Sequence, residues 1–283
     1  MGWIEQAVVG FDTETTGVDV GTDRIVSAAL VRRHGTSTTV RTWLVDPGVP
    51  IPTGASDIHG ITTEHARAHG RPAGPCLDEI ADVLATALRA GEPLVAYNAA
   101  YDLSLLDAEL RRNALATLPE RIGRDVQVVL DPLVLDRHLD RYRRGKRRLG
   151  DLCRHYAVDT ADLHTADVDV LATLDVLRAL VTAYPQIGTM ALGDLHALQV
   201  AAHRTWAESF NLWRAAQGLP GPGADASWPA RLPDLAAPDQ PSVRARVPRP
   251  RLESQARSSV ATTCSAAAAD AAATSPVRAS SAR

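Results

Sequence analysis

VVGFDTETTG, residues Val8 to Gly17, runs from an apolar strand signal into two carboxylates and a polar turn. On a strand, residues i and i+2 share a face, so Asp12 and Glu14 project together from the strand's polar end. Paired buried carboxylates are costly unless something positive meets them. Mutual repulsion raises the pKa of each unless cations sit among them. Oxygen-only ligands favour hard divalent cations such as Mg²⁺ or Mn²⁺. The plainer alternative is a pair of surface acids before a turn. The apolar run in front of them favours a central strand instead.

Outward from this stretch, two more strands are expected at Arg24 to Arg33 and Thr38 to Val45, with Gly17, Gly21 and Gly35 as turn signals. Their spacing leaves no room for crossover helices, so the three should form an antiparallel meander. The period then changes. In LDEIADVLATALRAG, Ile80, Val83, Leu84, Ala87 and Leu88 follow helical spacing, and Gly91 is a stop. Short buried strands are expected at Pro93 to Asn98 and Val126 to Leu130, with a helix at Tyr101 to Ala114 between them. Further helices are expected at 132 to 140, 149 to 157, 166 to 183 and 191 to 217. The pattern implies an α/β fold, a mixed five-stranded sheet with flanking helices.

The bulk numbers set limits. The chain has 283 residues, 45% of them hydrophobic, enough for one good domain with an extension. Lys146 is the single lysine, so nearly all positive charge is arginine. The net charge of −3 argues against broad electrostatic attraction to nucleic acid but leaves room for local patches or metal-mediated contact. Cys76, Cys153 and Cys264 match no zinc spacing and suggest a reducing compartment. Glu5 and Asp12 interrupt any signal-peptide core, and no apolar run approaches the ~20 residues needed to span a membrane. A cytoplasmic protein that does not enter the membrane is expected. Composition shifts near Gly218, where Pro, Ala, Ser, Thr and Arg take over. The division expected is a folded domain at 1–218, with a helical extension at 191–217, and a disordered tail at 219–283.

Two further segments carry acids at element junctions. In YNAAYD, Asn98 ends a strand and Asp102 falls in the first turn of a helix, where the macrodipole also favours an acid. In HTADVD, His164 and Asp169 are five residues apart and would diverge by about 140° on one helix. To meet, His164 must sit on the loop before the helix and Asp169 within it.

Together, DTETTG, NAAYD and H-x4-D resemble the DEDD 3′-5′ exonucleases, in particular the DnaQ-like His (DEDDh) subtype, which includes the proofreading subunit of bacterial DNA polymerase III. The resemblance covers about residues 5 to 183, and IHGIT, Ile58 to Thr62, is a further short stretch typical of this family. It implies a ribonuclease H-like fold. It also implies that Asp12, Glu14, Asp102 and Asp169 hold two Mg²⁺ or Mn²⁺ ions around the terminal phosphodiester. His164 would take the proton of the attacking water, and the product would be a nucleoside 5′-monophosphate. Thr13 and Thr15 would contact the terminal nucleotide, with His59 and Asn98 lining the groove.

Between the second and third motifs, RYRRGKRR (Arg141 to Arg148) holds six basic residues in eight. It reads either as a solvated loop or as a phosphate-contacting one, through Arg143, Arg144 and Arg147. The expected function is hydrolysis from the 3′ end of single-stranded or frayed DNA, in proofreading or repair, with a DNA polymerase as candidate partner. An exoribonuclease or oligoribonuclease, a catalytically silent nucleic-acid-binding module and a metal-binding structural domain stand as alternatives. Trp206, Phe210 and Trp213 form a stripe expected to pack back on the domain, with a partner-docking face as the alternative.

Overall fold

The computed structural model describes residues 2–160 and 163–230. A short 3₁₀ turn at Trp3–Glu5 leads into β1 (Val8–Thr15), β2 (Ile25–His34) and β3 (Ser37–Asp46). Helices α1 (Thr53–His59) and α2 (Thr63–His69) and the two-residue strand β4 (Arg71–Pro72) follow. Then come α3 (Ala73–Arg89), β5 (Leu94–Val95), α4 (Ala99–Arg112), α5 (Leu118–Ile122) and β6 (Val129–Leu130). The described chain continues through α6 (Pro132–Leu139), α7 (Leu149–His155), α8 (Ala166–Ala183), α9 (Pro185–Thr189) and α10 (Leu192–Ala216).

The sheet order is β4-β3-β2-β1-β5-β6. Strands β1, β2 and β3 form the antiparallel meander, while β5 and β6 run parallel to β1. The expected five strands become six because Arg71–Pro72 pairs with the end of β3. Two residues ending in proline carry no alternation by which to be recognised.

Successive residues of β1 point to opposite faces, and helices cover both. Val9 and Phe11 join a core with Leu77, Ile80, Leu84 and Leu88 of α3 and Leu103, Leu106 and Leu110 of α4. Val8, with Val31 and Val95, joins a second core with Val170, Leu174 and Leu177 of α8. Asp12 and Glu14 share the parity of Val8 and so lie on the α8 side. The crossing of α8 over β1 is close: a Cβ at Gly10 would overlap Val170 Cγ1. Glycine at position 10 is what lets α8 bring Asp169 down to the strand end.

Strands β5 and β6 are shorter than the apolar runs suggest. Asn98 takes a left-handed backbone (φ 62°) that turns β5 into α4, and Val128 (φ 61°) delays β6. Helices α1 and α2, each about two turns long, lack the periodicity that marks α3. IHGIT forms the joint between them: His59 ends α1, Gly60 is its left-handed cap, and Thr62 caps α2 by accepting the N–H of His65.

The described fold runs past the expected boundary at Gly218. The Asn211 side chain bonds Ala224 in both directions, at 2.8 and 2.7 Å, and His203 Nε2 lies 3.0 Å from the Asp225 carbonyl. Trp228, 6% exposed, packs into the α3/α4 core and against the His196 ring. The composition bias that suggested a tail hid one buried anchor. Residues 231–283, where the remainder of that tail was expected, lie outside the described residues. The aromatic stripe also differs from expectation. Trp206, Phe210 and Trp213 stack on one another at 5.5 and 5.7 Å, and Trp213 is 52% exposed. The stripe is a half-open ladder, joined to the body by the Arg137 guanidinium 3.8 Å over the Trp206 ring.

Helix α10 holds the outer edge of β6. Gln199, fully buried, accepts the N–H of Asp131 at 2.7 Å and donates to the Val129 carbonyl at 3.0 Å. His196 Nδ1 accepts the Val129 N–H at 3.2 Å.

Candidate active site

Asp12 and Glu14 stand at the end of β1, just before the β1–β2 register shifts between Glu14 and Thr15. Such irregularities re-aim side chains at strand ends. Asp169, from the first turn of α8, completes a cluster in which one oxygen from each of Asp12, Glu14 and Asp169 lies within 4.8 Å of the others. Asp102 arrives from α4, on the opposite face of the sheet. Its Oδ1 accepts the Thr13 backbone N–H at 3.1 Å and the Thr13 hydroxyl at 2.6 Å. Among the described residues it stands outside the three-oxygen cluster, yet its charge reaches Asp12.

His164 occupies the loop before α8 with a positive φ of 98°, and its backbone N–H donates to Asp169 Oδ1 at 3.2 Å. That bond fixes the loop against the acid five residues later. A helical arc could not bring the two together.

The electrostatics are those of a carboxylate nest. Burial, then the charges of Asp102, Asp169 and Glu14, push the Asp12 carboxyl well above its ordinary range. Glu14 is pushed to about 7 by burial and by Asp169 and Asp102. Burial lifts Asp102 to about 7 against the pull of the Thr13 hydrogen bonds. Asp169 is raised by burial, opposed by the His164 N–H and ring. The charges acting on Asp12 and Glu14 are all carboxylates. An oxygen-only, partly protonated cluster of this kind fits a hard divalent cation, which would exchange places with the protons.

The expected substrate-contacting residues divide. Thr13 is buried and committed to Asp102, so it orients an acid. Thr15 Oγ1 donates to the Gly17 carbonyl at 2.7 Å and lies 2.9 Å from the Tyr101 hydroxyl, pinning the turn after β1. His59 is buried beside Glu14, where both line a pocket of about 310 Å³ with Trp43 and Ile61. Its Nδ1 accepts the Ile61 N–H at 3.1 Å, and burial lowers its pKa. Asn98 lines a separate cavity of about 420 Å³.

Arg143 and Arg147 are each tied to a buried acid. Both pair with Asp136, whose side chain is fully buried and also accepts the Tyr156 hydroxyl at 2.9 Å. Arg144 is exposed. The basic run is therefore neither a solvated loop nor a set of free cations: part of it folds inward onto a buried acid.

Asp131 was not anticipated. Its carboxylate accepts the N–H groups of Asn98 at 3.1 Å, Ala99 at 3.0 Å and Leu133 at 2.9 Å, joining the starts of α4 and α6. It holds the helix that carries Asp102. The signal was present in Asp131-Pro132: an N-cap acid with proline at the first helical position.

A family model described as exonuclease matches residues 9–177. The PolC-type DNA polymerase III of Streptococcus thermophilus is 30% identical over 171 residues, which cover 60% of this chain and 11% of that protein. The Streptococcus mutans protein of the same description is 29% identical over the same length. The chain thus spans about a tenth of these relatives. Among solved structures, exonuclease I of Methylocaldum szegediense aligns with a TM-score of 0.55 at 24% identity, over 74% of this chain and 45% of that one. E. coli exonuclease I in complex with a dT13 oligonucleotide aligns with a TM-score of 0.54 at 21% identity, over 64% and 42%. At these identities the structural likeness speaks for the fold.

Proposed function

This chain belongs to the exonuclease family, and on that premise we propose that it is a metal-dependent 3′-5′ exonuclease of the DEDDh type. Its substrate is single-stranded or frayed DNA, and it releases nucleoside 5′-monophosphates. The observation that carries this reading is the convergence of Asp12, Glu14 and Asp169 within 4.8 Å, from a strand and a helix 150 residues apart in sequence.

Asp12, Glu14, Asp102 and Asp169 are the residues that would hold two Mg²⁺ or Mn²⁺ ions. Such ions, when bound, supply a more acidic water and stabilise charge on the attacking and leaving oxygens. Thr13 fixes the rotamer of Asp102, and Asp131 fixes the helix beneath it. His164, held at the mouth of the site by its bond to Asp169, takes the proton of the attacking water. The pocket between Glu14, His59 and Trp43 receives the terminal nucleotide. Relatives that carry the matched region within a DNA polymerase point to proofreading or repair in the cytoplasm, with a polymerase as partner class.

The test uses 5′-labelled single-stranded DNA, RNA and a 3′-mismatched duplex with Mg²⁺ or Mn²⁺, and Asp12→Ala as control. A ladder that shortens from the 3′ end, absent with the variant, is expected. Degradation of RNA alone would overturn the DNA assignment. Equal degradation by parent and variant would overturn the site.

A further inference from the structure

A groove lies away from the acids, between α10 and the segment from α6 through the loop to α7. Its volume is about 870 Å³. Arg137, Arg141, Arg143 and Arg147 line one side, and Trp206 and Phe210 the other, with no acidic residue in the lining. Asp136 lies beneath it, paired with Arg143 and Arg147, and Asp140 also reaches Arg143, which leaves four arginines against two acids. Trp206 and Phe210 are stacked with an interplanar angle of 14°. Arg137 and Trp206 wall both this groove and the cavity that Asn98 lines. Asn98 caps α4, the helix that carries Asp102 four residues later.

We infer that this groove binds the 5′-ward part of a single-stranded DNA whose 3′ end lies in the carboxylate site; the inference rests on the exonuclease reading. The chemistry matches on both counts. Arginines meet phosphates without reading sequence. Trp206 carries the Arg137 guanidinium on its face, so half-buried Phe210 is the ring of the groove that a base can reach. From Leu198 to Phe210, α10 presents a wall about 18 Å long, enough for about five nucleotides of a stacked strand. This places the strand-holding function in the helical extension and in Arg141, rather than in the arginines committed to Asp136.

The experiment is fluorescence anisotropy with 5′-fluorescein-labelled (dT)3 and (dT)12 in EDTA, where binding is read without turnover. The parent is expected to bind (dT)12 far more tightly than (dT)3. Phe210→Ala should weaken (dT)12 by about tenfold and leave the salt dependence alone. Arg141→Gln, at an exposed position, should lower the salt slope by about 0.7. Neither should change (dT)3 binding. If both variants bind (dT)12 like the parent, with the same salt slope, the groove serves another occupant and the inference falls. Length-dependent binding lost in the variants, by a protein that degrades nothing, would overturn the hydrolase reading and leave the groove standing.

Discussion

Replacing Glu14 with Gln should stabilise the metal-free protein, and more so at high pH. Burial and two neighbouring acids raise the Glu14 carboxyl from 4.5 to about 7. A carboxyl with a raised folded pKa stabilises the fold in its protonated form. That contribution is complete below 4.5 and is lost as pH climbs through about 7. Relative to a permanently neutral side chain, ionisable Glu14 destabilises the fold by about 3 kcal/mol at pH 8 and about 1 kcal/mol at pH 5. Glu14 is partly exposed, and solvent screening reduces these figures to about 2 and about 0.5 kcal/mol.

Three histidines, buried His59 and His203 and half-buried His196, act in the opposite sense. Burial lowers their pKa values, so their contribution builds as pH rises through the lowered folded values and is complete above their ordinary 6.5. They are common to parent and variant and cancel in the difference. Urea unfolding of Glu14→Gln and parent in EDTA, at pH 5 and pH 8, reads that difference directly. The variant should gain about 2 kcal/mol at pH 8 and much less at pH 5. Adding Mn²⁺ should reverse the order, because the parent keeps a ligand the variant lacks. An equal effect at both pH values, or a variant no more stable at pH 8, would refute the carboxylate-nest account.

Thr13→Val removes the hydroxyl that donates to Asp102 and that holds its pKa down. The acid limb of the kcat pH profile should move to higher pH, with kcat falling more than KM changes; an unshifted limb counts against the positioning role. Trp228→Ala empties a buried position between the α3/α4 core and His196. It should lower stability by about 3 kcal/mol or more, measured by urea unfolding. A loss below about 0.5 kcal/mol would put Trp228 outside the cooperative fold.

Much of this architecture was legible because periodicity is strong where burial is strong. Phe11 and Val9 mark β1, and Ile80, Leu84 and Leu88 mark α3. What stayed hidden was set by single residues acting at a distance. Asp131 caps its own helix, which Asp131-Pro132 announces, but it also gathers the amides of Asn98 and Ala99 at the start of α4, 33 and 32 residues away, which no local pattern announces. Arg143 and Arg147 looked free because a basic run normally faces water. Their partner, Asp136, lies within a helix where an acid reads as surface. Trp228 lies in the stretch whose composition reads as a tail, yet an extended segment can bury a side chain without a helix. The acids themselves were legible, and so was the need for a bend between His164 and Asp169. Thr13's commitment to Asp102 was not, because a β-strand threonine offers no sign of which helix approaches its hydroxyl.

The side chain of Gln199 has a meaning beyond its three hydrogen bonds. Strand β6 is the last of the sheet, and its outward N–H and C=O groups form a template on which another chain could zip. One carboxamide meets that template as a further strand would, accepting at Asp131 and donating at Val129. It also donates to the Leu195 carbonyl within its own helix, which keeps it aimed. Helix α10 is therefore a lid on an adhesive edge as well as a wall of the groove. Shortening the chain before α10 would bare the β6 edge to self-association.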